Sequence, residues 1–223
     1  MGAHFHSAHF THVGKVRAKN EDAVLSLGPE NIWVIADGMG GYEYGEIASR
    51  MVIEAIQHQI FSGSLEERVA MIKDALYRVN HHLSQEKTLS QSAVIGSTVC
   101  LLIAFQGHIA CLWAGDSRCY LYRRNRLYQV SRDHSQRLNG RSVLTRAIGM
   151  GSKLNIEHCI LAVQNDDTFL LTTDGLHNAL TAKTIQASMS SDSPIKGSEK
   201  LKTKALQTEA SDNLSAIMIK VTP

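Results

Sequence analysis

Four aspartates in this chain stand in one local context. Asp37, Asp116 and Asp174 each close a short apolar run, in IWVIADGMGG, HIACLWAGDS and TFLLTTDG, while Asp212 opens one, in DNLSAIMIKV. Carboxylates gathered at one edge of a fold repel one another and protonate unless cations neutralise them. Hard divalent cations such as Mg²⁺ or Mn²⁺ suit such a set, because no histidine or thiolate shares the spacing. The competing account is four unrelated turns, since Asp-Gly is a strong hairpin signal. At Asp37-Gly38 that account meets a helical pattern where a returning strand is required. A dinucleotide-binding glycine loop fails as well, because the third glycine position counted from Gly38 is Glu43. A second group with chemical potential is Arg17 with Glu21 and Asp22, in GKVRAKNED. A guanidinium fork can bond two phosphate oxygens at once, although a surface salt bridge is equally open to Arg17 at this level.

These side chains need elements to hold them. Trp33, Val34 and Ile35 form a short β-prone run that reads as a buried strand ending at Asp37. Residues 46–60 follow with helical periodicity through Ile47, Met51, Ala55 and Ile56. Residues 64–86 form the clearest helix, with Leu65, Val69, Ile72, Leu76, Val79 and Leu83 on one face and a Ser64/Glu67 capping box. From 96 to 132 the segments STVCLLIAF, HIACLWAG, RCYLYRR and RLYQVSR predict four strands in an antiparallel meander. If the last strand, after Asp212, runs antiparallel to its neighbours, its start and the ends of the other strands lie at one edge.

At 223 residues, 43% hydrophobic and 20% charged, the chain can bury a full core as one domain, 1–223. A formal net charge of +2 argues neither for nor against a nucleic-acid partner, and with no basic run or aromatic-basic interleaving none is expected. Cys100, Cys111, Cys119 and Cys159 lack any C-x-x-C spacing and read as small core residues in a reducing compartment. No apolar run is long enough to span a bilayer and no signal peptide is evident, so no membrane insertion and a cytoplasmic location are expected. His4, His6 and His9, within an extended lead-in over 1–10, and His12 just after it read as part of that partly exposed segment rather than a metal site.

Taken in order, Arg17 with Glu21-Asp22, Asp37-Gly38-Met39-Gly40-Gly41, Gly96-Ser97-Thr98, Gly115-Asp116-Ser117-Arg118, Asp133-His134-Ser135, Leu144-Thr145-Arg146-Ala147-Ile148-Gly149, Asp174-Gly175-Leu176 and Asp212-Asn213 resemble the motifs of the metal-dependent protein phosphatase 2C (PPM) family. The resemblance runs from Thr11 to Val221. It implies an α+β fold: a central sandwich of two antiparallel β-sheets flanked by pairs of antiparallel helices, in four αββα layers. It also implies two Mn²⁺ or Mg²⁺ ions that activate a water for attack on a phosphoryl group, with a possible third ion. By that resemblance Asp37 matches the ligand shared by both metals, and the Gly38 carbonyl matches a ligand of the second. Asp174 and Asp212 match the remaining ligands of the first, and Asp116 joins Asp174 at the third. Arg17 matches the phosphate-binding arginine, and Glu21 and Asp22 match acids near the second metal. Ser117, Asp133 and His134 fit the pattern as support for the site.

Two departures carry consequences. Many eukaryotic members have a proton-donating histidine where this chain has Met39, which leaves His134 as the motif histidine to test for that role. The link 135–143 is much shorter than the flap of bacterial members and is expected to form little of one. The runs THVGKVRAKNED, IGSTV and CLWAGDSR are most similar to stand-alone bacterial Ser/Thr phosphatases that accompany type VI secretion systems and reverse a Ser/Thr kinase. The expected substrate is therefore a phosphorylated protein. Two alternatives remain open at this level: a non-catalytic regulatory protein on the same fold, and a phosphatase for small phosphate esters.

Overall fold

The computed structural model describes residues 3–40, 44–90, 95–138 and 140–223, with the side chains of 86–90 and 141 left aside. Gly41 of the glycine-rich motif lies outside the described residues. In chain order the elements are β1 (His4–His12), β2 (Asp22–Leu27), β3 (Ile32–Met39), α1 (Tyr44–Gln57), α2 (Leu65–Ser90), β4 (Gly96–Ser97), β5 (Val99–Phe105), β6 (His108–Ala114), β7 (Arg118–Arg123), β8 (Arg126–Gln129), β9 (Ser135–Leu138), β10 (Arg141–Leu144), β11 (Glu157–Ala162), β12 (Thr168–Thr172), α3 (Asp174–Ala179), α4 (Ala182–Met189), α5 (Pro194–Leu206) and β13 (Leu214–Thr222).

Strand β3 explains the layering. Its residues are buried on both faces, so a continuous apolar run is required where a half-exposed strand would alternate. Trp33 and Ile35 point into the sandwich, where they meet Leu102, Ile109, Leu121, Phe169, Leu171, Ile217 and Ile219. Ile32 and Val34 point the other way, onto Val52 and Ile56 of α1 and Ile72 and Leu76 of α2. On the far side, Leu170 and Met218 pack against Ile185, Met189 and Leu201 of α4 and α5. The result is the expected four layers. One sheet has the order β11-β6-β5-β3-β2, with β4 pairing β3, and the other β1-β13-β12-β7-β8. All pairings are antiparallel.

Three expectations change in detail. The four strands between 96 and 132 do not form one meander: β5 and β6 pair in one sheet, β7 and β8 in the other. The crossing occurs at Gly115, whose φ of +124° turns the chain against Thr98 and sends β7 to β12. The N-terminal lead-in is a nine-residue edge strand paired along its length with β13. Helix α1 ends at Gln57, three residues short of the periodic pattern. The capping box of α2 is present, with Ser64 N donating to Glu67 Oε2 at 2.7 Å and Glu67 N donating to Ser64 Oγ at 3.3 Å. Among the described residues no helix is long and apolar enough to cross a membrane.

Candidate metal centre

Asp37 sits inside β3, at the point where that strand leaves β5 and pairs instead with β4. Its backbone is clamped by Thr98. Asp37 N donates to Thr98 Oγ1 at 3.0 Å and Thr98 N donates to the Asp37 carbonyl at 2.8 Å. Thr98 Oγ1 also shares a hydrogen bond with Ser117 Oγ at 2.7 Å, tying β3 to the turn that carries Asp116. The Gly96-Ser97-Thr98 motif therefore positions the first aspartate.

Asp22 lies directly across β2 and β3 from Asp37. Its carboxylate is buried, and one oxygen accepts from Thr173 Oγ1 at 2.8 Å and Ser215 Oγ at 2.6 Å. The other oxygen, Oδ1, is buried without a partner. Burial is the main reason its pKa is pushed up to about 7, with Asp174 and Asp212 adding to the effect and the two hydroxyls opposing it.

Asp174 opens α3 immediately after β12, and Asp212 precedes β13. These strands are antiparallel neighbours, so the end of one meets the start of the other. Gly175 permits the approach, because a Cβ there would stand 2.1 Å from the Asn213 carbonyl oxygen and 2.9 Å from Asp212 Cβ. Gly38 is equally constrained, with the Gly45 carbonyl oxygen 1.9 Å from where its Cβ would lie. The Asn213 side chain accepts from Glu21 N at 2.8 Å and donates to the carbonyls of Val13 and Lys19, each at 2.9 Å. This amide pins the Arg17 segment against the cluster. Arg17 itself is exposed and donates through Nε and Nη2 to the two oxygens of Asp212, at 2.8 and 2.9 Å.

The electrostatics report the crowding. Desolvation, then Asp22, Asp174, Asp116 and Asp212, hold the Asp37 carboxyl well above the usual range. Desolvation and Asp174 push Asp116 up to about 7. Desolvation and Asp212 raise Asp174, whose hydrogen bond with Asp37 acts in the opposite sense. Glu21 is raised mainly by desolvation. The structure thus brings Asp22, Asp37, Asp116, Asp174 and Asp212 within mutual influence, with Glu21 and Arg17 at the rim. Among the described residues, no three acids, histidines or cysteines already converge at ligand spacing on a single point, and Asp212 has both oxygens engaged by Arg17. The donor set still fits divalent cations. It is all oxygen, its members oppose one another's ionisation, and Asp22 Oδ1 is an orphaned buried acceptor.

Two clefts flank the acids. One, of about 350 Å³, is lined by Asp174, Asn178, Thr208, Glu209, Ser211 and Asp212. The other, of about 270 Å³, has Asp116, Arg118, Asp133, Arg137, Asp174 and His177 among its walls. The short link 135–143 contributes more than expected to the second cleft. It folds into the β9/β10 hairpin, in register from Ser135↔Leu144 to Leu138↔Arg141. Asp133 forms a bidentate pair with Arg118, at 2.9 and 2.7 Å. His134 is held on both nitrogens, with Nδ1 accepting from Gly115 N at 3.2 Å and Nε2 lying 3.0 Å from Glu157 Oε1. Its ring is buried beside Trp113, and burial followed by Arg146 lowers its pKa. This histidine is not free to protonate a leaving group.

Several participants have no clear signal in the sequence. Thr173 and Ser215 cradle Asp22 from positions 151 and 193 residues away. His177, buried against Thr172 Oγ1 at 3.0 Å, has its pKa pushed down to about 3 by burial and by Arg118. An i+3 offset from Asp174 on a predicted helix could have drawn attention to it.

A family model described as protein phosphatase 2C matches residues 12–215. The chain belongs to the protein phosphatase 2C family. Within that family, it is 27% identical over 246 residues to the serine/threonine phosphatase stp of Listeria monocytogenes, covering 96% of this chain and 95% of that protein. Its fold superposes with a TM-score of 0.95 on the structure of PppA, a key regulatory component of T6SS in Pseudomonas aeruginosa, at 35% identity over 99% of this chain and 100% of that one. The catalytic domain of PstP in complex with two manganese ions has the same fold, with a TM-score of 0.88 at 24% identity over the whole of both chains. As a member of this family, the chain is a divalent-metal-dependent phosphatase.

Proposed function

We propose that this phosphatase hydrolyses phosphoserine and phosphothreonine in proteins, reverses the action of a Ser/Thr kinase and acts in the regulation of a type VI secretion system. The observation that carries the chemistry is the cluster of five mutually opposed aspartates with a buried, unpartnered Asp22 Oδ1, placed beside an exposed arginine. Asp37, Asp174 and Asp212 would hold one cation, Asp37 and the Gly38 carbonyl a second, and Asp116 with Asp174 a third. Glu21 and Asp22 would act next to the second. Bound Mn²⁺ or Mg²⁺ would supply Lewis acidity and an activated water.

The remaining steps belong to the chain. Arg17 offers a phosphoryl group the same two-point geometry it now offers Asp212, so it can orient substrate without rebuilding its side chain. Asp22, Thr173 and Ser215 hold the inner wall, and the Thr98 clamp holds Asp37. Met39 supplies no proton, and its terminal methyl packs on Gly96, 2.8 Å from where a Cβ there would lie.

Purified protein assayed with a phosphothreonine peptide and with a small alkyl phosphate, in Mn²⁺ and in a chelator, tests the reading. The expected result is metal-dependent release of phosphate with the peptide much preferred. Preference for the small ester would favour a metabolite phosphatase, and metal binding without any turnover would favour a regulatory protein on this fold.

A further inference from the structure

The cleft between α3 and the loop 207–212 opens directly off Asp174 and Asp212, so it offers one path for the residues that flank a phosphate held at the acids. One wall is Asn178, whose Nδ2 donates to Asp174 Oδ2 at 3.4 Å. The other wall is fixed to the body of the protein. Lys15 N donates to the Ala210 carbonyl at 2.8 Å and Lys15 Nζ to the Thr208 carbonyl at 2.9 Å. Thr208 Oγ1 donates to the Ala205 carbonyl at 2.7 Å and accepts from Ala210 N at 3.2 Å. Ala210 is held at a φ of +44°, which lets the loop turn back toward Asp212.

Glu209 stands on this braced loop. It is exposed and makes no hydrogen bond or ion pair among the described residues. Lys15 Nζ donates to the Thr208 carbonyl and Arg17 is paired with Asp212, so neither cation forms an ion pair with Glu209. An unpaired carboxylate on a rigid wall, beside a cleft of about 350 Å³, is placed to meet a cation carried on the substrate.

We propose that Glu209 is a specificity-determining residue: it selects phosphoproteins with an arginine or lysine within one or two positions of the phosphorylated residue, received in the cleft between α3 and the 207–212 loop. The proposal rests on the reading of this chain as a protein phosphatase. Glu209 lines the same cleft as Asp174 and Asp212, and successive residues of an extended chain advance by about 3.3–3.6 Å, so the residues closest to the phosphorylated one are those that meet it. The cleft on the other side carries both signs, with Arg137 and an Arg118 already paired with Asp133 beside Asp116, whereas among the described residues the only charged side chains on the walls of this one are the acids Asp174, Glu209 and Asp212.

The test is a panel of phosphothreonine peptides with Arg, Ala or Glu at the positions −2, −1, +1 and +2, assayed in Mn²⁺ with the unmodified protein, E209Q and E209K. An aryl phosphate, which has no flanking residue, is measured alongside, and each peptide kcat/KM is read as a ratio to it so that any change in the chemistry cancels. An exposed ion pair corresponds to a factor of roughly 2–5 in kcat/KM. The unmodified protein should therefore prefer Arg to Ala by about that factor at one or two positions. E209Q should remove the preference, and E209K should favour Glu over Arg, a swing of roughly 10-fold in the ratio. Circular dichroism melts of the variants confirm that they fold. A ranking unchanged in E209K, or no ranking in the unmodified protein, overturns the proposal and leaves the phosphatase reading standing. Turnover of the aryl phosphate with none of any peptide overturns both.

Discussion

Replacing Asp22 by Asn should stabilise the chelator-treated protein at pH 8 and do little at pH 5. The carboxyl of Asp22 is pushed up to about 7 from an ordinary value of 3.8, mainly by burial. A carboxyl that binds its proton more tightly when folded gives stability that is complete below the unfolded pKa and is lost as pH rises through the folded one. The window here is therefore about pH 4 to 7. Each pKa unit corresponds to about 1.4 kcal/mol, so the full cost of ionising Asp22 above pH 7 is of the order of 4 kcal/mol.

An asparagine removes that cost. Its carbonyl oxygen can take over the hydrogen bonds from Thr173 and Ser215, while its amide replaces the unpartnered Oδ1. A buried amide without a partner costs about 1–3 kcal/mol, which leaves a net gain of roughly 1–3 kcal/mol at pH 8. At pH 5 the folded carboxyl is neutral but the unfolded one is ionised, so only about 2 kcal/mol of the cost is present, the amide penalty offsets it, and the two proteins should differ little. Urea unfolding followed by circular dichroism in a chelator, at both pH values, makes the comparison. A variant whose stability difference from the unmodified protein is the same at pH 5 and pH 8 would refute the account of Asp22 as an ionisation held in check by burial. Added Mn²⁺ supplies the converse. A ligand at 100 times its Kd stabilises by about 2.7 kcal/mol, and this increment should be smaller in the Asn variant.

Asp37→Asn and Asp174→Asn should abolish metal-dependent turnover and weaken Mn²⁺ binding in calorimetry while leaving the circular dichroism spectrum unchanged, because neutral amides hold hard cations poorly; near-normal turnover in either would remove that residue from the site. Gly38→Ala should cost about 3 kcal/mol or more in unfolding experiments, since the new methyl meets backbone, the Gly45 carbonyl oxygen, rather than a side chain that can move; a cost below 1 kcal/mol would show that α1 shifts freely. With Met39 unable to donate a proton and His134 held on both nitrogens, rates should rise steeply as the leaving group becomes more acidic, aryl phosphates outpacing alkyl ones. Positioned acids are worth about 10²–10⁴-fold, so a flat dependence measured where chemistry limits turnover would reveal a donor elsewhere in the cleft.

What could be read in advance follows from where the information lies. A continuous apolar run ending in Asp-Gly is local, and it marks both a strand buried on two faces and the acid at its end, as β3 and β12 show. Shared position at one edge needed a further condition, that β13 run antiparallel to β12, and that condition holds. The crossing of the chain between sheets after β6 escaped because Gln106-Gly107 and Arg124-Asn125 are true hairpin signals, whereas the Gly115 turn between them carries no mark of which sheet comes next. Thr173 and Ser215 escaped for a related reason. A hydroxyl within or just after an apolar strand is unremarkable until the fold sets an acid 151 or 193 residues away against it.

Arg17 shows the limit of residue type as evidence. Phosphate binding and a surface ion pair were equally compatible with its sequence, and the structure places it in a bidentate pair with Asp212. The two uses call on the same chemistry, two parallel N–H donors facing two oxygens of an anion. Because the pair is exposed, its net contribution to stability is small, about 0–1 kcal/mol, so exchanging the carboxylate for a phosphoryl group opposes binding only weakly. An arginine held by a partner it can surrender cheaply is kept near the acids and in the right orientation, which lowers the entropic cost of meeting substrate.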